Sequence, residues 1–401
     1  MRRAKVYTSL AVLLVAIGAV VASDATFWKR YFLSVAYAPS ARPMASYEPT
    51  ELVAGTNEPP PPRVSADYAG IDIKALNAAA DYAGERDSRA LIVWRRGHIA
   101  FEKYWGGSDF NTILDTGEFN ATLVALLFGI AQQERKVGLV DEPAARYLPE
   151  WRNSAREAIK LRDLLQSSSG LAAYSPMNAP WSRAVRDRLG SDITSAYLQR
   201  DLAHEPGSRW VPQSADPQLL ALVLERATGQ RYAQYLSERL WKRIRAADAH
   251  LWLDRAGGSA HAECCLLARQ GDWIRIGALL VSDGVFEGEE VVPPGWVAQM
   301  LSPAAGNANF GFQLRLGEPF VRAAAGEPYA TRDVFFLGDF SKNRLWLVPS
   351  LGLVVLATGV NPTDAGDWDE ARIPNLVIRG TDDFKPGANA SSDLESLVPN
   401  H

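Results

Sequence analysis

The chain has 401 residues, 47% of them hydrophobic, 22% charged and 10% aromatic, with a formal net charge of −4 at pH 7. These values exclude a collagen-like, mucin-like or wholly disordered chain and leave enough apolar residues for a sizeable core. With no net basic balance, nucleic acid is not expected as a partner.

In chain order, Arg2, Arg3 and Lys5 precede an uncharged apolar run over 6–22. The run is close to the ~17–25 residues a membrane span needs and longer than the ~7–15 of a signal-peptide core. Val20 and Ala22 nonetheless offer a cleavage site before Ser23, and both readings stay open, with an uncleaved anchor over 1–33 preferred. Trp28, Lys29, Arg30 and Tyr31 follow as interfacial anchor residues would, and the early positive charges direct the rest of the chain across the membrane. The expected place of the body is the periplasmic side of the cell membrane, or outside the cell if the segment is cleaved. Residues 34–66 contain Pro39, Pro43, Pro49 and the run 59–62 of four prolines, which predicts an extended linker. The folded body is expected over 67–379, with an unstructured tail over 380–401.

Within the body, 90–94 and 98–104 flank Arg95, Arg96 and Gly97 as two strands of a hairpin. Helices are predicted at 118–135, at 219–241 with a break near Gly229, at 272–280 and at 296–300. Strands follow at 310–316, 334–337, 344–348 and 353–358. A hairpin, then many helices, then a return to strands predicts an α+β fold whose sheet is built from both chain ends. The only cysteines, Cys264 and Cys265, are adjacent. Neighbouring Cα atoms lie about 3.8 Å apart, shorter than the ~4.4–6.8 Å of a relaxed disulfide. Two core thiols are therefore expected.

Several segments together resemble a known family. They are 141–143 (Asp-Glu-Pro) with 147–151 (Tyr-Leu-Pro-Glu-Trp), 161–171 (Leu-Arg-Asp-Leu-Leu-Gln-Ser-Ser-Ser-Gly-Leu), and 204–210 (His-Glu-Pro-Gly-Ser-Arg-Trp). The stretch from Gly257-Gly258 through Cys264-Cys265-Leu266, then 292–296 and 347–355, completes the series. In order and spacing this is similar to the serine β-lactamase-related hydrolases, the branch of class C β-lactamases, esterases and 6-aminohexanoate-dimer hydrolases. The resemblance implies a β-lactamase/penicillin-binding-protein-like fold, an antiparallel sheet flanked by helices plus a mostly helical subdomain. It also implies acyl transfer: a Ser at a helix start, a Lys three residues on, a Tyr-x-Asn element, and a His or Lys with Gly on a strand.

None of these motifs stands at its place. Glu118 occupies the Ser position and Ala121 the Lys position, and no Ser-x-x-Lys occurs in the sequence. Pro212 stands for the Tyr and Ser214 for the Asn; Phe340 stands for the His and Lys342 for its Gly. The expectation is therefore an exported homologue without catalytic residues of the family kind, acting in binding or scaffolding of a cell-wall peptide or a partner protein. The rival expectation is an amide or ester hydrolase with relocated chemistry. Glu118, Phe119, Trp210, Phe340 and Lys342 are the candidate cleft residues. Glu118 is read as a carboxylate favoured by the helix dipole, and Ser167, Ser168 and Ser169 as local hydrogen-bonders. His261, Glu263 and Cys264 form a metal-like cluster in the sequence, set aside because no HExxH or paired CxxC supports it. No metal and no cofactor are expected.

Overall fold

The computed structural model describes residues 18, 21–22, 24–37, 42–174, 179–317, 326–338, 343–359 and 368–385. Most of the apolar run 6–22 lies outside them, as do Phe340 and Lys342. Among the described residues no helix is long and apolar enough to cross a membrane.

The chain opens with helix α1 (Ala25–Ala36), capped by Asp24, whose side chain accepts from the Phe27 N–H. Phe27 and Arg30, one turn apart, face the body and are buried. Strand β1 (Thr50–Val53) and helix α2 (Ile73–Gly84) follow, then the hairpin strands β2 (Ser88–Arg95) and β3 (His98–Tyr104). Arg96 and Gly97, both at positive φ, make the two-residue turn between them, the geometry that matches strand twist. Strand β4 (Ile113–Asp115) leads into α3 (Phe119–Gln133), which is buried from Phe119 to Ala131. A helix apolar on every side belongs inside the molecule, and Gly129 lets the Trp296 ring press against it.

A helical region comes next: α4 (Leu161–Leu165), α5 (Arg183–Leu189), α6 (Ile193–Leu198), α7 (Ala215–Thr228) and α8 (Tyr232–Leu236). The break expected near Gly229 is the left-handed C-cap of α7, at φ 71°. Strands β5 (Ala249–Trp252) and β6 (Leu266–Arg269), helix α9 (Trp273–Val281), the short hairpin β7 (Val285–Phe286) and β8 (Glu289–Glu290), and α10 (Trp296–Met300) carry the chain back to the sheet. Strands β9 (Arg315–Leu316), β10 (Phe335–Gly338), β11 (Arg344–Val348) and β12 (Leu353–Gly359) precede the last helix, α11 (Arg372–Arg379). The strand predicted over 310–316 is reduced to its final two residues, because Gln313 turns the backbone to φ 54°.

The six-stranded sheet runs β3-β2-β12-β11-β10-β9, antiparallel throughout. Alternation sends Ile92, Val354, Leu356, Leu345 and Leu347 to one face, where they meet α3, α9 and the helical region. Leu91, Val93, Val355, Leu353 and Trp346 go to the other, under α2 and α11. The α+β expectation and the closure of the sheet by both chain ends are thus observed. A second sheet, β1-β5-β6-β4, has no counterpart in the sequence reading.

Two segments read as peripheral carry ordered structure. In the stretch taken for a linker, β1 pairs with β5, Pro62 O accepts from the Ile99 N–H at 2.8 Å, and Pro59 O accepts from Arg275. At the start of the predicted tail, Asp382 and Asp383 accept from the buried Arg95 guanidinium at 2.8 and 2.7 Å. Cys264 and Cys265 are a correction: they are joined by a disulfide across adjacent residues, with Cα atoms 3.7 Å apart. On an ordinary backbone adjacent cysteines sit too close for a relaxed bridge, whereas Cys265 adopts φ 65° and brings both sulfurs to one side of the chain.

Candidate active-site cleft

The first turn of α3, the 210–217 segment, the 313–315 segment and the end of β10 surround one cleft, about 520 Å³ when its open mouth is included. Glu118, Ala121, Pro212 and Ser214 all line it, so four of the degenerate positions converge in space. Trp210 lines it as expected and packs against Phe310, ring centroids 5.4 Å apart. Phe119 does not: it is fully buried and meets Trp273 edge to face at 5.1 Å. Next to a cleft-facing Glu118, the helical turn rotates Phe119 into the core. Phe340 and Lys342 lie outside the described residues, but Gly338 at the end of β10 reaches the cleft.

Glu118 sits at the start of α3 without making a side-chain cap. Its carboxylate instead faces Arg315 Nη2 at 3.6 Å. Arg315 and Gln313 were not singled out in the sequence, although the alternation Phe312, Leu314, Leu316 against Gln313, Arg315 was the available signal. Gln313 is a hub: its carbonyl accepts from Thr122 Oγ1 at 2.6 Å, and its side-chain amide donates to Leu164 O and to Ser167 Oγ. Ser167 lines the cleft, Ser168 donates to Asp163 O, and Ser169 is fully buried. Ser169 Oγ donates to Asp216 Oδ1 at 2.6 Å and accepts from Gln213 Nε2 at 3.1 Å. Burial pushes the Asp216 carboxyl up to about 7, against the opposing pull of that serine.

Behind Ala121, Asn120 ties α3 to the Cys-Cys segment. Its amide donates to Ala262 O and Cys264 O at 3.1 and 3.0 Å, and its oxygen accepts from the Tyr232 hydroxyl. This places Glu263 on the cleft wall. Glu263 Oε1 lies 3.0 Å from His261 Nδ1, and the imidazole stacks on Trp252 at 4.2 Å. Burial would raise the Glu263 pKa, but His261 and Arg188 outweigh it and hold the carboxylate below its ordinary range. His261, Glu263 and Cys264, set aside in the sequence, are brought together with potential ligand atoms within 4.8 Å of one another.

Among the described lining residues there is no lysine, histidine or tyrosine. The hydroxyls of Thr122 and Ser167 are engaged with Gln313. The cleft thus offers a carboxylate–guanidinium pair, a second carboxylate, an aromatic wall and the hydroxyls of Thr122, Ser167 and Ser214.

The family model described as Beta-lactamase matches residues 73–306. A 6-aminohexanoate-dimer hydrolase of Paenarthrobacter ureafaciens is 37% identical over 304 residues, covering 70% of this chain and 74% of that protein. A Bacillus anthracis structure proposed to be a 6-aminohexanoate-dimer hydrolase superposes with a TM-score of 0.68 at 16% identity, over 83% of this chain and 89% of that one. A penicillin-binding protein homologue from Caulobacter crescentus gives a TM-score of 0.58 at 12% identity, over 77% and 97%. The structural likenesses carry the fold, and the sequence matches carry the kinship: the chain belongs to the serine β-lactamase-related hydrolase family.

Proposed function

We propose that this family member does not form an acyl-enzyme and that its cleft binds a ligand without turning it over. The observation that carries the reading is Glu118. The position from which the family's serine attacks holds a carboxylate ion-paired with Arg315, and Ala121 one turn on supplies no base. A carboxylate beside a guanidinium at the mouth of a cleft suits a short amide or peptide with ends of opposite charge. The relative named as a 6-aminohexanoate-dimer hydrolase acts on a ligand of that kind, and a cell-wall peptide is a second source of the same chemistry. Delivery by the apolar run 6–22, with the body on the periplasmic side of the membrane or secreted, belongs to the same proposal.

The test is an active-site serine probe, a fluorophosphonate or a labelled penicillin, applied to the folded full-length protein. The expected result is labelling far below one probe per chain. Stoichiometric labelling within the body, or turnover of a chromogenic ester that Glu118→Ala abolishes, would replace this reading with the relocated hydrolase.

A further inference from the structure

We infer that reduction of the Cys264–Cys265 disulfide opens a zinc site on the wall of the cleft, built from Cys264, His261 and Glu263. Three observations carry this. The first is convergence: Glu263 Oε1 stands 3.0 Å from His261 Nδ1 and 3.6 Å from Cys264 Sγ, and the three ligand atoms lie within 4.8 Å of one another. Ligands at zinc distances of about 2.0–2.3 Å in a tetrahedral site sit roughly 3.3–3.8 Å apart, so small side-chain adjustments suffice.

The second is an unmet polar requirement. His261 is fully buried and Glu263 is 3% exposed, yet His261 Nε2 and Glu263 Oε2 have no hydrogen-bond partner among the described residues. Both atoms belong to side chains that already meet in the cluster through His261 Nδ1 and Glu263 Oε1. Buried polar atoms of this kind are normally paired. The third is preorganisation. Trp252 stacks on the His261 ring, and Asn120 holds the carbonyls of residues 262 and 264. The Glu263 wall of the cleft gives an ion a way in.

As long as the disulfide stands, Cys264 cannot ligate. A bridge between adjacent residues closes the shortest loop, and cross-link stabilisation grows with loop length, so opening it costs the fold little. A phosphine reductant takes its oxygen from water and leaves two thiols, R₃P + H₂O + RS–SR giving R₃P=O + 2 RSH. Zinc then displaces the Cys264 thiol proton, which is released to solvent, while His261 ligates as neutral imidazole and Glu263 as carboxylate. Thiolate, imidazole and carboxylate together select zinc among the common divalent ions and leave a fourth position for water.

The experiment measures Zn²⁺ affinity of the detergent-solubilised full chain by competition with a chromophoric chelator. Wild type is compared before and after phosphine reduction, with thiols counted in each sample. Cys265→Ser and Cys264→Ser are measured without reductant. The expected result is one Zn²⁺ per chain, bound roughly 100-fold or more tighter in reduced wild type than in oxidised, the scale on which ligand shells act. Cys265→Ser, which leaves Cys264 as a free thiol, should bind without reductant, and Cys264→Ser should not. Co²⁺ in Cys265→Ser should show a sulfur-to-metal charge-transfer band that His261→Gln weakens. Equal affinity in reduced and oxidised wild type, or equal binding by the two cysteine variants, overturns the site. If Cys265→Ser does not fold, reduced wild type alone decides. If the buried bridge resists the phosphine, the variant decides.

Discussion

Asp216 shows how one buried group sets a pH dependence. Its carboxyl is enclosed at the start of α7 with one oxygen bonded to Ser169 Oγ and the other without a partner among the described residues. Its pKa rises from an ordinary 3.8 to about 7 because burial disfavours the charge. The folded state therefore holds this proton where the unfolded chain has lost it. The associated stability is fully present below about pH 3.8 and is lost as the pH climbs through about 7. Asp216→Asn keeps a partner for Ser169 and removes the charge. Urea denaturation should show the variant gaining roughly 1–4 kcal/mol over wild type at pH 8 and almost nothing at pH 4. An equal difference at both values would assign Asp216 no part in the pH response. Nothing in the sequence marked this residue, since a carboxylate in a first helical turn reads as a dipole partner until its burial is known.

Helix α1 carries the residues read as an interfacial anchor and packs one face on the body. Trp28, Lys29, Arg30 and Tyr31 have the make-up of an interfacial anchor, yet Phe27 and Arg30 lie on one face and that face is docked on the body. The Arg30 guanidinium donates to Asp254 O at 2.7 Å, Leu253 O at 2.8 Å and Gly190 O at 3.2 Å, and lies over the Trp252 ring. Burial disfavours its charge while Asp254 and Asp24 favour it, leaving its pKa lowered. Arg30→Ala would strand those carbonyls, and the expected loss is about 3–5 kcal/mol, read as a fall in denaturant midpoint. Arg30→Lys, with fewer donors and no planar fork, should recover only part of it. A loss within error for Arg30→Ala would mean that α1 contributes nothing to the fold. Legibility differed among the other elements. The hairpin, the buried α3, the break at Gly229 and strands β10 to β12 were legible because their apolar periodicity is strong. The second sheet was not, because its strands, four residues in β1, β5 and β6 and three in β4, are scattered along the chain, whereas the equally short β10 adjoins β11 and β12. Within the cleft, the missing motifs located Glu118, Ala121, Pro212 and Ser214. Arg315 and Gln313 alternate with Phe312, Leu314 and Leu316, a pattern the sequence offered, although the backbone leaves the strand at Gln313.

Across the whole molecule, the family fold surrounds a cleft with other contents, so the proposed loss of acyl transfer should be reversible. Glu118→Ser, Ala121→Lys and Pro212→Tyr replace three residues that all line the cleft. The introduced lysine would not be an isolated buried charge, because the Glu263 carboxylate lies on the same wall. Nucleophile and base act as a unit, so each single reversion should stay at background. The triple variant should hydrolyse a chromogenic ester at least about tenfold faster than wild type. A folded triple variant that neither turns over ester nor takes up the serine probe would show that the oxyanion geometry went with the motifs.

The closure of the six-stranded sheet bears on timing. Strand β2 lies between β3 and β12, and Arg95 Nε donates to Leu351 O across 256 residues of chain. The hairpin can pair as soon as it is made, but its inner edge has no neighbour until residues 353–359 leave the ribosome. During most of synthesis β2 is therefore an unfinished edge, rich in Leu91, Ile92 and Val93, of the sort that recruits foreign strands. Such long-range pairing is slow to assemble because the intervening loop must first be closed. The arrival of β12 decides when the first hairpin stops being a hazard.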